Sequence, residues 1–350
     1  MLPTTIHWDD ETRRASFEQW LAGVSPRHGL QPQTLCPASS DASFRRYFRL
    51  AGNGSSFIVM DAPPAMEDVR PFVHVAELIA ASGLHAPQIL EQSPEQGFLL
   101  ISDLGQRLYL GELQSAVTAG DDAGIRALMR DAIAALVTWQ QRVDASTLPP
   151  YDEALLRREM QLFPDWCVKR EFGVDWNDAQ QAQWQVTTDL LVQSALAQST
   201  VAVHRDYMPR NLMVCADRNP GILDFQDAVC GPISYDVASL IRDAFISWDE
   251  EQELDWAVRY WELARKSGLP VPDDFGLFWR QLEWMGLQRH LKVLGIFCRL
   301  KHRDAKPKYS EDLPRFFRYA HRVAVRYNGL GPLAKLLESL LGDERRDVFF

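Results

Sequence analysis

The sequence has little of what marks a secreted, membrane-spanning or nucleic-acid-binding chain. Its 350 residues include only five cysteines, Cys36, Cys167, Cys215, Cys230 and Cys298, and none falls in a CxxC pair. An odd, scattered set excludes a dense disulfide framework and a cysteine-built zinc site, and fits reduced thiols in the cytoplasm. No apolar run reaches the ~18 residues that a membrane span needs. The opening MLPTTIHWDDETRR has no apolar core and carries acids early, so no signal peptide is expected. Positive charge is short: 37 Lys and Arg stand against 47 Asp and Glu, a net charge of −10. That balance disfavours nucleic acid as a partner. Lysine is absent before Lys169. Internal repeats, low-complexity tracts and long linkers are missing as well. What remains is 46% hydrophobic and 24% charged, the balance of an ordinary globular protein.

The texture changes along the chain. Residues 15–22 read as a short helix. From Gln33 come β-type runs: QTLCPA, FRRYFRL, SFIVM, QILEQ and FLLIS. AGNGS and SPEQG are turns between them, and residues 66–82 read as a helix closed by Gly83. After Asp103 the pattern is helical. Ile125, Leu128, Met129, Ala132, Ile133, Leu136 and Val137 recur at steps of three and four, the stripe of a buried helix. Further helices are expected over 178–198, 250–267, 274–302, 313–327 and 332–341. The expected fold is α+β and bilobal. A small antiparallel β-sheet lobe with one inserted helix, residues 1–102, would bind nucleotide. A large, mainly helical lobe, residues 103–350, would carry catalysis and substrate binding. A cleft between lobes is the natural ligand site.

The chemistry concentrates in STVAVHRDYMPRNLMVC and the GILDFQDAVCGPISYDVASLIRD that follows. Val201–Val203 read as a short strand ending at His204. Asn211 follows Asp206 by five positions, and ILDF reads as a strand delivering Asp224. Phosphoryl transfer needs this set. One carboxylate orients the attacking hydroxyl and accepts its proton, while a second carboxylate and an amide oxygen hold magnesium against the phosphates. The run matches H-R-D-x-x-x-x-N residue for residue, and Asp224-Phe225 stands where protein kinases have D-F-G. The competing reading, that His204, Asp206 and Asn211 merely tie a loop together, leaves the whole pattern and the second strand-borne acid to chance. Asp227 is open between a magnesium ligand and a solvated acid.

Three departures shape the expectation. The SFIVM strand ends in Met60, where a protein kinase carries the lysine that pairs with the α- and β-phosphates. Arginine must then neutralise that charge, and Arg45, Arg46 and Arg49 are the candidates; on an alternating strand, some of them face solvent. The preceding loop, Ser39-Ser40-Asp41-Ala42-Ser43-Phe44, lacks glycines but is small enough for backbone N–H groups to approach phosphates. Met208 occupies the position where serine-directed kinases have lysine, and only twelve positions separate Asp224 from Asp236. That leaves no room for a long activation loop and points to a small-molecule acceptor.

From about residue 33 onward the chain resembles the aminoglycoside phosphotransferase and choline kinase superfamily, of protein-kinase-like fold. SDASFRRYFRL, VMDAPP, LLISDLG, REMQLFPDW, HRDYMPRNLM and GLQRHLKVLGIFCRL look closest to the branch holding the bacterial anomeric kinases of N-acetylmuramate and N-acetylglucosamine. The resemblance implies an ATP- and Mg2+-dependent kinase of an N-acetylated amino sugar in cell-wall recycling. Asp206 is then the base, and Asn211 and Asp224 the metal ligands. Ser40, Asp41, Ala42, Ser43, Phe44, Arg45, Arg46, Ile58, Ser102 and Leu104 would line the nucleotide. His204 and Asp236 would be structural, with Asp236 opening a helix and bracing the catalytic loop. Arg289, Lys292 and Arg299 share a helix face and suit an acceptor carboxylate, against the alternative of a solvated basic face. With them, Glu159, Trp166, Arg205 and His290 are the expected acceptor residues. For Glu159 and Trp166 the alternative is a helix salt bridge and a packed indole. A kinase of a cationic amino-alcohol or aminoglycoside is the second reading. A pseudokinase-like binding protein is the third, motivated by Met60 and the missing glycines.

Overall fold

Helix α1 (Glu11–His28) starts where Asp10 accepts hydrogen bonds from the amides of Thr12 and Arg13. Such a cap contributes about 1 kcal/mol. The helix stops at Gly29, whose φ of 58° is left-handed, and any Cβ there would strike Asn53. The computed structural model describes residues 6–8, 10–38 and 44–349. Ser40, Asp41, Ala42 and Ser43 of the expected phosphate loop lie outside the described residues.

Two compact units divide the chain. The first holds the residues up to Tyr109 together with Arg210–Asp227. Its sheet has strands β1 (Cys36–Pro37), β2 (Arg46–Gly52), β3 (Ser55–Asp61), β4 (Ile89–Ser93) and β5 (Phe98–Ser102), in the order β1-β2-β3-β5-β4 and antiparallel throughout. Alternation puts Phe48, Leu50, Val59, Phe98 and Leu100 into one core with Phe17, Leu21 and Val24 of α1. Helix α2 (Arg70–Ala81) buries Phe72, Val75, Ala76 and Ile79 at helical spacing. The segment Arg210–Asp227 adds a small hairpin, Leu212–Met213 against Gly221–Ile222. Chain order alone gives no reason for this segment to join the sheet unit.

The second unit is mainly helical: α3 (Tyr109–Ala119, from Leu110 on), α4 (Asp122–Arg142), α5 (Glu153–Met160), α6 (Asp178–Leu196), α7 (Tyr235–Ile241), α8 (Glu250–Lys266), α9 (Phe275–His302), α10 (Leu313–Arg326) and α11 (Gly331–Phe349). Caps fix many of the starts: Asp121, Asp152, Asp249 and Asp274 each accept an amide of the following turn, and Asn177 with Gln180 makes a capping box. The REMQLFPDW segment continues from α5 into a π-helical stretch, Phe163–Glu171. Helix α9 crosses it closely: a Cβ on Gly295 would lie 2.4 Å from the Leu162 carbonyl. A wide π turn is a local departure that recurs at functional sites. The expected strand over ILDF is shorter in the structure, ending at Ile222, so Asp224 sits on a loop. All five cysteines are free thiols. Among the described residues no helix is long and apolar enough to cross a membrane.

Candidate active site

In the second unit, the strand Thr200–Val203 pairs with Val229–Pro232 and ends at His204. Arg205 then takes a left-handed backbone, φ 74°, which costs a non-glycine residue roughly 1–3 kcal/mol and survives where surroundings enforce it. The enforcement is visible. Buried Asp236 accepts the His204 amide at 2.7 Å and the Arg205 amide at 2.9 Å. Its carboxylate therefore braces the turn, while the start of α7, at Ser234, has no side-chain cap. Burial pushes the Asp236 carboxyl up to about 7, against the pull of those two amides and of Arg289. The Asp206 amide reaches His204 Nδ1 at 3.3 Å, and the Tyr207 hydroxyl donates to the Ala132 carbonyl at 2.8 Å. Asp206 is thus carried on a backbone fixed from both sides.

Beside this turn lies a buried charge cluster. Glu159, 5% exposed, has both oxygens engaged. Oε1 meets Arg205 Nη2 and, at 2.9 Å, Lys292 Nζ. Oε2 accepts the Tyr151 hydroxyl and lies 3.4 Å from Gln288 Nε2. Burial alone would raise the Glu159 pKa, but Lys292, Arg205 and Tyr151 outweigh it and hold the carboxyl at about 2. Burial likewise opposes the Lys292 charge, and Tyr235 and Glu159 overcome it. Lys292 Nζ also stands 3.3 Å from the Tyr235 hydroxyl.

The remaining expected acceptor residues scatter. Arg289 is buried, its Nη2 4.0 Å from the Met208 sulfur. His290 is buried too, stacked on Tyr319 at 4.9 Å; burial, then Arg242 and Arg289, push its pKa well down, so it is a neutral ring. Arg299 lies between two and three turns further along α9, its charge disfavoured by burial and by Arg303. Trp166 is half-buried on the π-helical stretch. Tyr151, Tyr235 and Gln288 join the cluster although sequence reasoning passed them over. Gln288 and Tyr235 each stand one position before a residue already singled out; Tyr151, after Pro149-Pro150, carries no such signal.

In the first unit, the loops of the small hairpin bring Asn211 and Asp224 together. The Leu223 amide donates to the Asn211 carbonyl at 2.9 Å, and Asn211 Nδ2 lies 3.4 Å from Asp224 Oδ2. Asp224 has a left-handed backbone, φ 59°, and Phe225 behind it packs on Phe72 at 4.6 Å. Gln226 Nε2 donates to Asp224 at 2.9 Å and to Asp227 at 3.2 Å. Gln226 was not anticipated. Arg45 Nη2 comes within 3.9 Å of Asp224 Oδ1. An amide and a carboxylate this close form a hard oxygen-bearing pair, the donor type that suits a small divalent cation. Of the other expected nucleotide residues, Ile58 is buried on β3, Ser102 accepts the Gln88 amide at 2.8 Å, Leu104 is half-buried, and Phe44 is exposed.

Arg45, just ahead of β2, differs from Arg46 and Arg49 on it. Arg46 forks onto buried Asp61, with Nε 3.0 Å from Oδ2, and lies over the Trp8 ring at 4.0 Å. Arg49 holds Asp103 at 2.6 Å and the Gly105 carbonyl at 2.8 Å. Only Arg45, of the three, approaches Asp224.

Sheet unit, helical unit and the two acid-bearing loops make this a phosphotransferase of protein-kinase-like fold. The chain belongs to the Phosphotransferase enzyme family, whose model matches residues 34–275. It is 49% identical over 338 residues to the N-acetylmuramate/N-acetylglucosamine kinase of Pseudomonas aeruginosa, covering 95% of this chain and 98% of that one. The protein of the same name from Neisseria meningitidis is 45% identical over 339 residues, covering 97% and 99%. Among solved structures it resembles the ADP-bound aminoglycoside phosphotransferase APH(2'')-Ib, with a TM-score of 0.59, 12% identity and coverage of 87% and 98%. The choline kinase of Cryptosporidium parvum gives 0.60 at 10% identity, covering 91% and 99%. At such identities the structures speak to the fold alone.

Proposed function

We propose that this protein is an ATP- and magnesium-dependent kinase that phosphorylates the anomeric hydroxyl of N-acetylmuramate and N-acetylglucosamine, in the cytoplasm, on a route that recovers cell-wall sugars. The observation that carries the acceptor is the 49% identity, across nearly the whole chain, to a kinase named for those two sugars. The intact set Asp206, Asn211 and Asp224 supports the chemistry.

Each residue has a stated part. Asp206 orients the anomeric hydroxyl and accepts its proton as the oxygen attacks the γ-phosphorus of ATP, the bond from that phosphorus to the bridging oxygen breaks and ADP leaves. Asn211 and Asp224 would hold magnesium, which would supply neutralisation of phosphate charge. Asp236 keeps the Asp206 turn in its strained form. Lys292 and Arg205 hold positive charge beside the acceptor, kept in place by Glu159. Glu159 itself is saturated by its own neighbours, so it positions the cations rather than receiving a sugar hydroxyl. That argues against the cationic acceptors of an aminoglycoside or choline kinase, which need an uncommitted acid. The nucleotide-lining assignments and the residue ranges of the two lobes belong to the same proposal.

The test is transfer of labelled γ-phosphate from ATP onto N-acetylmuramate, N-acetylglucosamine, choline and an aminoglycoside, with and without magnesium. Label on the two sugars, and only with metal, is expected. Label on choline or the aminoglycoside alone would overturn the acceptor. Label on none of the four would overturn the kinase.

A further inference from the structure

Protein kinases place their phosphate-pairing lysine on the third strand of the sheet. Here that strand, β3, ends in Met60 and Asp61. Met60 is fully buried. The register of β2 against β3 pairs Tyr47 with Met60 and Arg46 with Asp61. Directly opposed residues of an antiparallel pair share a face, and faces alternate along a strand. Arg46 therefore lies on the Asp61 face, where it forks onto that buried carboxylate and stacks on Trp8. Tyr47 and Arg49 lie on the Met60 face. Arg49 is held by Asp103, whose Oδ2 also receives the Ser56 hydroxyl at 2.7 Å. Arg45 stands one residue before β2 begins.

Arg45 does something its two neighbours do not. Its side chain is 12% exposed, and its guanidinium approaches Asp224 at 3.9 Å, the carboxylate assigned to the metal. Asn211 and Gln226 also border that carboxylate. Guanidinium is suited to phosphate oxygens by its fork of donors.

We propose that Arg45, standing just ahead of the neighbouring strand, takes over the role of the missing lysine as the phosphate-binding cation. The proposal rests on the kinase reading above and names one residue within it. It has a second consequence. Arg45 and a divalent cation compete for Asp224 while no nucleotide is present, and the phosphates of ATP give both an anion at once. Removing Arg45 should therefore change affinity for metal alone and for ATP in opposite directions, which a merely structural residue would not do.

The experiment compares the parent protein with Arg45→Ala and Arg45→Lys. Titration calorimetry measures ATP without metal and adenosine; spin resonance measures manganese alone. A charge-assisted pair corresponds to roughly 10- to 100-fold in affinity. Arg45→Ala is expected to bind metal-free ATP about that much more weakly and adenosine as the parent does. Loss of the nearby cation should tighten manganese binding about 3- to 10-fold, the size of a partly screened charge pair. Arg45→Lys should recover part of the ATP affinity. Unchanged ATP binding in Arg45→Ala, equal losses for ATP and adenosine, or weaker manganese binding would each overturn the assignment. A parent that binds ATP but labels no sugar would fail the acceptor and leave Arg45 standing. A parent that binds no ATP would overturn both.

Discussion

Two clusters in the helical unit bury carboxylates among arginines and lysine, yet they do different work. One is centred on Arg242, which is fully buried. Its Nε meets Glu253 at 2.9 Å and its Nη2 meets Glu283 at 3.0 Å. Arg322 adds to Glu253, and Arg326 and Tyr327 to Glu283, each at 2.6 Å. The network joins the end of α7 to α8, α9 and α10, and touches no residue of the HRDxxxxN motif. The other is centred on Glu159 and shares Arg205 with that motif. Both are buried and both are paired. What separates them is the backbone: Arg205 sits in a left-handed turn held by Asp236, whereas the Arg242 network ties together ordinary helices. Burial and pairing are common to the two clusters; only the Glu159 cluster meets the left-handed, motif-bearing turn.

The comparison can be broken most strongly at Asp206. A positioned base contributes about 10²- to 10⁴-fold to turnover. Asp206→Asn should lower kcat by that much and leave ATP affinity and melting temperature near those of the parent. Near-parental turnover would remove Asp206 from the chemistry.

The Arg242 cluster should respond in the opposite way. Arg242→Met takes from Glu253 and Glu283 their fully buried partner and leaves them Arg322, Arg326 and Tyr327, a defect costing about 1–3 kcal/mol of stability. Denaturant melts should show that loss, while kcat per folded molecule stays at the parental value. A large fall in kcat at full folding would make the scaffold cluster part of the site.

Lys292 sharpens the contrast, because it belongs to the Glu159 cluster and has some solvent access. Lys292→Met should raise KM for N-acetylmuramate about 10-fold more than for N-acetylglucosamine, the worth of one charge-assisted bond to the lactyl carboxylate. Equal rises for both sugars would mean that Lys292 only supports the loop. Arg289 and Arg299 can be compared in the same assay; Arg289, enclosed beside Met208, should affect the two sugars alike.

The smallest effect is in pH. The Glu159 carboxyl is held down at about 2 in the fold, against 4.5 as the ordinary value. Its ionisation therefore stabilises the fold fully above pH ~4.5, and that contribution is lost as pH falls toward about 2. Glu159→Gln leaves Lys292 and Arg205 without their anion. Its stability deficit relative to the parent should be constant near neutrality and shrink between pH ~4.5 and ~2. A deficit that does not change across this window would show that Glu159 is not held ionised.

Much of this was legible in the sequence, for local reasons. Short apolar and aromatic runs between turns mark β2, β3 and β5, and aspartates before periodic stretches mark the starts of α4, α8 and α9. The motif singles out Asp206, Asn211 and Asp224 as types and spacing that phosphoryl transfer calls for, and the structure brings Asn211 and Asp224 together. The rest depends on pairing partners far away in the chain. Nothing around Arg46 announces Asp61 as its partner; strand register decides it. Tyr151 and Glu159 meet through the start of α5, and Lys292 arrives from a helix more than a hundred residues later. The helical face shared by Arg289, Lys292 and Arg299 was readable, but which of them meets Glu159 was not, since it depends on packing against a helix far away in the chain. The strand expected over ILDF is short because Asp224 adopts positive φ, which ends an extended run.

The central claim is that the anomeric hydroxyl receives the γ-phosphate of ATP. Incubation with ATP and magnesium, followed by phosphorus NMR, compares free N-acetylglucosamine with its methyl glycoside, in which that hydroxyl is blocked. The account predicts a sugar 1-phosphate from the free sugar and no product from the glycoside. Phosphorylation of the methyl glycoside at the parental rate would contradict it.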